Sequence, residues 1–275
     1  KNNKQVAIMG PKLIDGSGTF LNESKRGVPT PWVAFSKVSG LYKIAPKLFG
    51  KYYNLRLSKD KSGPTDILVG AFMFMRTEHY RLLDGFDEAC FMYSDDIDLS
   101  YRSLQLGQQN YYNAEITVIH FKGESTPKDF AYQLKFREAM NYFYHKHFHV
   151  SNLAKIWIKA AINVFSFLKR ILGSQSKIRK QQPNFYCLIS NDLDLKIGAN
   201  KNFLFMHTSA IDEVLEYRNS RTEIIFDPEI ISFKSCIDFM SNNGKGFTYK
   251  FLNSNKSHAV GSISSVAKGE VLVMS

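Results

Sequence analysis

Short apolar runs alternate with stretches of helical spacing along most of this chain, and that alternation restricts it to α/β architectures, in which helices cover strands. Val6 to Met9 is one such run, closed by Gly10-Pro11 and followed by the turn signal Asp15-Gly16-Ser17-Gly18. Asp66 to Arg76, DILVGAFMFMR, is apolar nearly throughout and predicts a strand buried on both faces. Thr77 to Leu83 predicts a short helix capped by Thr77. Asp95 to Leu106 predicts another, with Asp98 and Arg102 four residues apart and Gly107 at its C-terminal end. Tyr111 to His120 returns as a strand. From Gly27 to Pro64 the chain lacks periodicity, as expected of a long excursion of the kind that often carries function.

Phe130 to His149 and Asn152 to Leu172 have helical composition. Gly173-Ser174-Gln175-Ser176 and Gln181-Gln182-Pro183 bracket a linker. A second α/β pattern follows: strands at 184–190, 202–207, 222–226, 247–252 and 270–274, with helices at 210–218 and 233–242. The expected organisation is a first domain over 1–127, a helical basic connector over 128–180, and a small Rossmann-like α/β domain over 181–275.

Charge is unevenly spread. Lys and Arg number 36 against 25 acids, a net +11, and residues 151–180 contribute seven basic residues and no acid, leaving +4 for the remainder. In 153–172 the polar residues Lys155, Lys159, Asn163, Ser166 and Arg170 form one narrow stripe on an otherwise apolar helix. Such a surface packs between domains or lies on an anionic membrane surface with its lysines toward the headgroups; we expect membrane contact through 152–180. Nucleic acid is not an expected partner, because no recognised nucleic-acid motif occurs and the densest charge cluster is acidic. No run reaches the ~18 apolar residues of a membrane span, and three scattered cysteines fit a reducing compartment. The opening without Met, directly into an apolar run, is expected of a piece of a longer protein.

That acidic cluster is Asp87, Glu88, Asp95, Asp96 and Asp98, five carboxylates within twelve residues. Asp95, Asp96 and Asp98 fall where a loop enters a helix, and a helix N-terminus favours the ionised carboxylate. An ionised carboxylate there can take a proton from a hydroxyl or help hold a divalent metal. In structural terms Asp95 would cap the helix and Asp98 would pair with Arg102, which leaves Asp96 without a structural task. A calcium loop counted from Asp96 fails, since Tyr101 and Gly107 occupy the positions that require Gly and Glu.

Four blocks in order, Val69–Arg76, Leu83–Glu88, Phe91–Leu99 and Val118–His120, resemble the carboxyl half of bacterial family 2 glycosyltransferases of the GT-A fold, rhamnosyltransferase-like members in particular. The resemblance covers roughly residues 5–150 and implies an inverting transfer: a carboxylate deprotonates an acceptor hydroxyl, which attacks the anomeric carbon of a nucleotide-sugar while Mg²⁺ or Mn²⁺ stabilises the departing diphosphate. It places the catalytic base on Asp96 and an orienting carboxylate on Asp95. Gly70 and Ala71 line the sugar pocket, Asp98 joins the substrate contacts, and His120 falls on a metal-ligand position. The implied partners are a nucleotide-sugar donor and a glycan or lipid-linked acceptor in surface polysaccharide synthesis. The implied location is cytoplasmic, on the inner face of the membrane.

The family's nucleotide-binding half with its Asp-x-Asp motif is not in this sequence, so turnover by this chain alone is not expected. Asp192-Leu193-Asp194 lies in the wrong order and reads as a surface turn. The Gln-x-x-Arg-Trp signature of processive members is also missing, which implies addition of one sugar or few. The rival class is a non-catalytic binding module, a reading that fits residues from 184 onward. Lys25-Arg26 reads as a solvated charge pair, His145-Lys146-His147-Phe148-His149 as a solvated helix end, and Cys90 as an unreactive thiol.

Overall fold

The computed structural model describes residues 5–33, 50–90, 92–121, 130–148, 183–197, 204–218, 221–263 and 269–275. The helix expected at 152–172, the basic segment 152–180 and the linker at 173–176 lie outside the described residues. The chain forms two compact units. The first takes the described residues of Lys1–Lys12, Asn22–Ile116 and Asp129–Ile178, and the second those of Leu13–Leu21, Thr117–Lys128 and Arg179–Ser275.

The sheet of the first unit has the order β2-β4-β1-β3, from β1 (Val6–Ile14), β2 (Gly63–Thr65), β3 (Phe74–Met75) and β4 (Gln109–Ile119). β2 runs antiparallel to β4 with Gly63 opposite Tyr112, and β3 antiparallel to β1 with Met75 opposite Ile8. β1 runs through Gly10-Pro11, where an end was expected. Its neighbour β3 reaches only Ile8 and Met9, so that strand asks no hydrogen bond of Pro11. A Cβ on Gly10 would lie 2.7 Å from Leu68 Cδ2, so any larger residue there would make that side chain shift.

The helices are α1 (Thr77–Leu82), α2 (Asp95–Gln105) and α3 (Phe130–His147). α1 begins one residue after Arg76, and no side chain caps it, Thr77 included. α2 ends through Leu106 into Gly107, whose φ of 71° is the left-handed conformation a C-terminal glycine supplies. α2 packs its apolar side on two small cores, Leu99 with Ala7, Ile8, Leu68 and Leu83, and Ile97 with Ile67 and Phe143 of α3.

The strand expected at Asp66–Arg76 is not continuous. Ile67 and Leu68 are fully buried, and Ile67 bridges to Arg26. The chain then turns at 69–72, exposing Gly70, Ala71 and Phe72, and resumes as β3 with Phe74 68 % exposed. The physical reason is the amide of Gly70, which is spent on a side-chain carboxylate and not on a ladder.

The second unit holds six strands in the order β10-β9-β8-β7-β5-β6. β5 (Phe185–Ile189), β6 (Leu204–Thr208), β7 (Thr222–Phe226) and β8 (Phe247–Leu252) are mutually parallel, while β9 (His258–Gly261) and β10 (Glu270–Val273) are antiparallel additions. Strand order reverses about β5, with β6 on one side of it and β7 on the other. The helix expected at 210–218 is a 3-10 segment, Ile211–Tyr217. α4 (Phe233–Asn243) is capped by Ser232, whose hydroxyl accepts the amide of Ser235. The principal core here gathers Cys187, Ile189, Ile224, Phe226, Cys236, Met240 and Tyr249, and it includes Ile14, with Ile119 and Phe121 packed against it.

Candidate active site

The loop into α2 is strained where it meets the acidic pair. Met92 and Tyr93 both have positive φ, 60° and 67°, conformations that cost non-glycine residues on the order of 1 kcal/mol or more and gather at functional sites. Asp84 also has a φ of 55°, which aspartate tolerates better than most residues.

Asp96 is the second residue of α2 and is 8 % exposed. Its Oδ2 accepts from Arg26 Nη2 at 2.7 Å and from the Gly70 amide at 2.9 Å. Its Oδ1 is buried and has no hydrogen-bond partner among the described residues. Unsatisfied buried oxygens are uncommon and costly, about 1–3 kcal/mol for a neutral group and more for a charged one.

Arg26 is not the solvated cation the sequence suggested. It is buried, its Nη2 also donates to the Leu68 carbonyl at 2.8 Å, and its backbone exchanges two 2.9 Å hydrogen bonds with Ile67. Burial works against its charge, but Asp96 and Tyr52 together outweigh that and hold the guanidinium above its ordinary range. Lys25 is buried too, donating to the carbonyls of Asn54 at 3.0 Å and Tyr53 at 3.4 Å, and burial lowers its pKa. An adjacent pair of cations gave no sign in sequence that both turn inward.

Asp95 is half-buried. Burial pushes its carboxyl above the usual range, the charge of Asp96 adds to this, and backbone amides of the helix start and Arg26 pull back. Gly70 and Ala71 are exposed at the turn beside Asp96. A Cβ on Gly70 would sit 3.2 Å from Cβ of Asp96, so glycine is what lets this backbone approach the carboxylate.

Asp98 has a different task from the expected substrate contact. It has no exposed surface, and its oxygens are taken by Arg102 Nε at 2.7 Å, Lys146 Nζ at 2.8 Å and His147 Nε2 at 2.6 Å. Burial opposes its charge, and the hydrogen bonds from Lys146, His147 and Arg102 outweigh that, holding the carboxyl below its ordinary range. Arg102 also donates to the carbonyls of Leu83 and Gly85, which ties the α1–α2 connection to α2. Lys146 and His147 are therefore a docked helix end, not a solvated one. The sequence signal was present in Asp98-Arg102, but their third and fourth partners lie 48 and 49 residues on.

Among the described residues one trio of potential metal donors converges, Asp87, Cys90 and Asp98, with ligand atoms within 4.8 Å of one another. It does not fit Mg²⁺ or Mn²⁺. Burial pushes the Cys90 thiol up to about 11, and the ammonium of Lys146 stands 2.6 Å from Asp87 and 2.8 Å from Asp98, where a cation would go. His120 follows β4, its amide donating to the Ile14 carbonyl at 2.8 Å, and belongs to the second unit, outside that trio. Asp192 and Asp194 lie in a surface turn in which the Asp194 amide donates to Asp192 at 3.3 Å.

No protein-family model and no solved structure matches the chain. Part of it is similar to a glycosyltransferase. That relative is the N-acetylglucosaminyl-diphospho-decaprenol L-rhamnosyltransferase of Mycobacterium tuberculosis, strains CDC 1551 and H37Rv, 32 % identical over 81 residues. The match spans 30 % of this chain and 26 % of the relative. Among the described residues no helix is long and apolar enough to cross a membrane.

Proposed function

We propose that this chain carries the base-bearing part of an inverting glycosyltransferase. Asp96 accepts the proton of an acceptor hydroxyl on Oδ1. The hydroxyl oxygen bonds to the anomeric carbon of a nucleotide-sugar, and the bond from that carbon to the diphosphate breaks, the nucleoside diphosphate leaving with the electron pair. The observation that carries this reading is the division of labour on Asp96: Oδ2 is held by two donors, and Oδ1 is a buried acceptor with none. A base needs a fixed orientation and one open lone pair.

Asp95 orients the site, and the exposed turn at Gly70-Ala71 gives a sugar close access to backbone. The relative acts, by its name, on a decaprenol-linked substrate, which suggests a lipid-linked acceptor, with 152–180 against an anionic membrane surface. Family members use Mg²⁺ or Mn²⁺; the donors described here do not gather into such a site, and no step above runs through the ion.

The test is nucleotide-sugar turnover by the protein translated from the whole reading frame that encodes this chain, with a polyprenyl-diphosphate-linked acceptor. Asp96→Asn should lower kcat by about 10²–10⁴-fold, the range general-base catalysis supplies. An undiminished rate rejects Asp96 as the base.

A further inference from the structure

The residue most tightly bound to Asp96 lies outside the four blocks that carry the family resemblance. Arg26 sits 70 positions earlier, in the segment between β1 and β2, yet its guanidinium and the Asp96 carboxylate form a 2.7 Å ion pair with side chains only 10 % and 11 % exposed. Its own position is over-determined. The backbone exchange with Ile67, the Thr65 hydroxyl donating to the Arg26 carbonyl at 3.1 Å and the Nη2 bond to Leu68 all hold it without help from Asp96. Such a cation is an anchor on which the carboxylate rests, and not a mobile side chain recruited by it.

We infer that Arg26 is the built-in counter-ion and positioning residue of Asp96: it fixes which oxygen faces the acceptor, and it keeps divalent cations off this carboxylate. The first part follows from geometry. Arg26 and the Gly70 amide approach the same oxygen, so rotation of the carboxylate would break two charge-assisted hydrogen bonds at once. The second part follows from charge. A buried guanidinium within hydrogen-bond distance neutralises Asp96, and a dication arriving at Oδ1 would meet that positive charge in a poorly screened setting. What Oδ1 can accept is a neutral donor, an alcohol O–H above all. The Nε of Arg26 is likewise buried without a hydrogen-bond partner among the described residues, so both members of the pair keep one polar atom in reserve.

This inference rests on the glycosyl-transfer reading only for the identity of the hydroxyl; the exclusion of metal is independent of it. The experiment therefore has two readouts. With aspartate carboxyls ¹³C-labelled, the Asp96 signal is assigned by its loss in Asp96→Asn and followed as Mn²⁺ is added. In the wild type it should stay sharp, and in Arg26→Gln it should broaden at the same Mn²⁺ concentration. In the turnover assay Arg26→Gln should lower kcat about 100-fold with little change in donor KM, and Arg26→Lys, which keeps the charge but not the fork, should recover part of it.

Should Arg26→Gln fail to fold, Arg26→Gln/Asp96→Asn, which removes both charges, should restore folding, and Arg26→Lys then carries the Mn²⁺ comparison, remaining sharp. Broadening of Asp96 by Mn²⁺ in the wild type overturns the inference, as does an Arg26→Gln variant with unchanged kcat in an enzyme that turns over. Absence of turnover in the wild type, with the Mn²⁺ contrast intact, overturns the glycosyl-transfer reading and leaves the counter-ion role standing.

Discussion

The ammonium of Lys146 lies 2.8 Å from Oδ1 of Asp98, a carboxylate with no exposed surface. One side chain from the last turn of α3 thus completes the charge balance of α2, the helix that presents Asp96. Removing the acid strands Arg102 and Lys146 around a site built for an anion. Asp98→Asn should lower stability by about 3–5 kcal/mol, as for other broken buried ion pairs, read as a shift of the urea midpoint. A change below about 1 kcal/mol would mean that these contacts are not formed in solution.

Acid should act on the same cluster. Hydrogen bonds from Lys146, the Ala89 amide and Tyr142 hold the Asp87 carboxyl down to about 2, and Asp98 is lowered as well. A carboxyl depressed in the folded state adds stability that is complete above its unfolded value near 4 and is lost as pH falls through the folded value. The melting temperature should therefore drop between about pH 4 and pH 2. Asp87→Asn should show a shallower drop across that window, measured by circular dichroism.

Asp95 carries the opposite sign. Its carboxyl is raised, so its contribution to stability declines as pH rises from the ordinary carboxylate value through the raised one. At neutral pH Asp95→Asn should be more stable than the wild type by on the order of 0.5 kcal/mol, the surplus being modest for a half-buried group. The gain should vanish at pH 3 in thermal melts.

Gly70 tests the site without changing the charge of any side chain. The Cβ of Gly70→Ala would press on Asp96 at 3.2 Å while leaving the exposed turn otherwise free. Turnover should fall about 10- to 100-fold, with stability within about 0.5 kcal/mol of the wild type. Equal losses in both would assign Gly70 to folding and not to the carboxylate.

The parts that could be read from sequence are those where local pattern and tertiary role agree. Thr222–Phe226 and Phe247–Leu252 are segments of strand length buried in a parallel sheet, and their bounds coincide with expectation even though Glu223 and Lys250 interrupt their apolar character and pair with each other at 2.8 Å. Asp96 stood out because capping by Asp95 and pairing of Asp98 with Arg102 were expected and left it over; the pair forms, but the cap position falls on Ser94, and no side chain bonds there. Asp66–Arg76 misled for the opposite reason: its composition is that of a buried strand, but the amide of Gly70 answers to a carboxylate 26 residues on. Arg26, Lys146 and His147 were hidden likewise. Each looks like an ordinary surface residue until the distant aspartate it bonds is in place.

The presence of Ile14, Ile119 and Phe121 in the core built on β5, β7 and β8 bears on how this protein came to have two units. The second is not a cassette that recombination could attach or remove at residue 181. Two pieces of the earlier chain, a glycine-bearing turn at 13–21 and the stretch after β4, are part of its fabric. A Cβ at Gly18 would lie 2.2 Å from the Met240 carbonyl, so even that turn is cut to fit. A recombinant fragment beginning at 181 would carry a void where Ile14 belongs. Any fragment meant to hold the second unit whole must carry 13–21 and 117–128 with it.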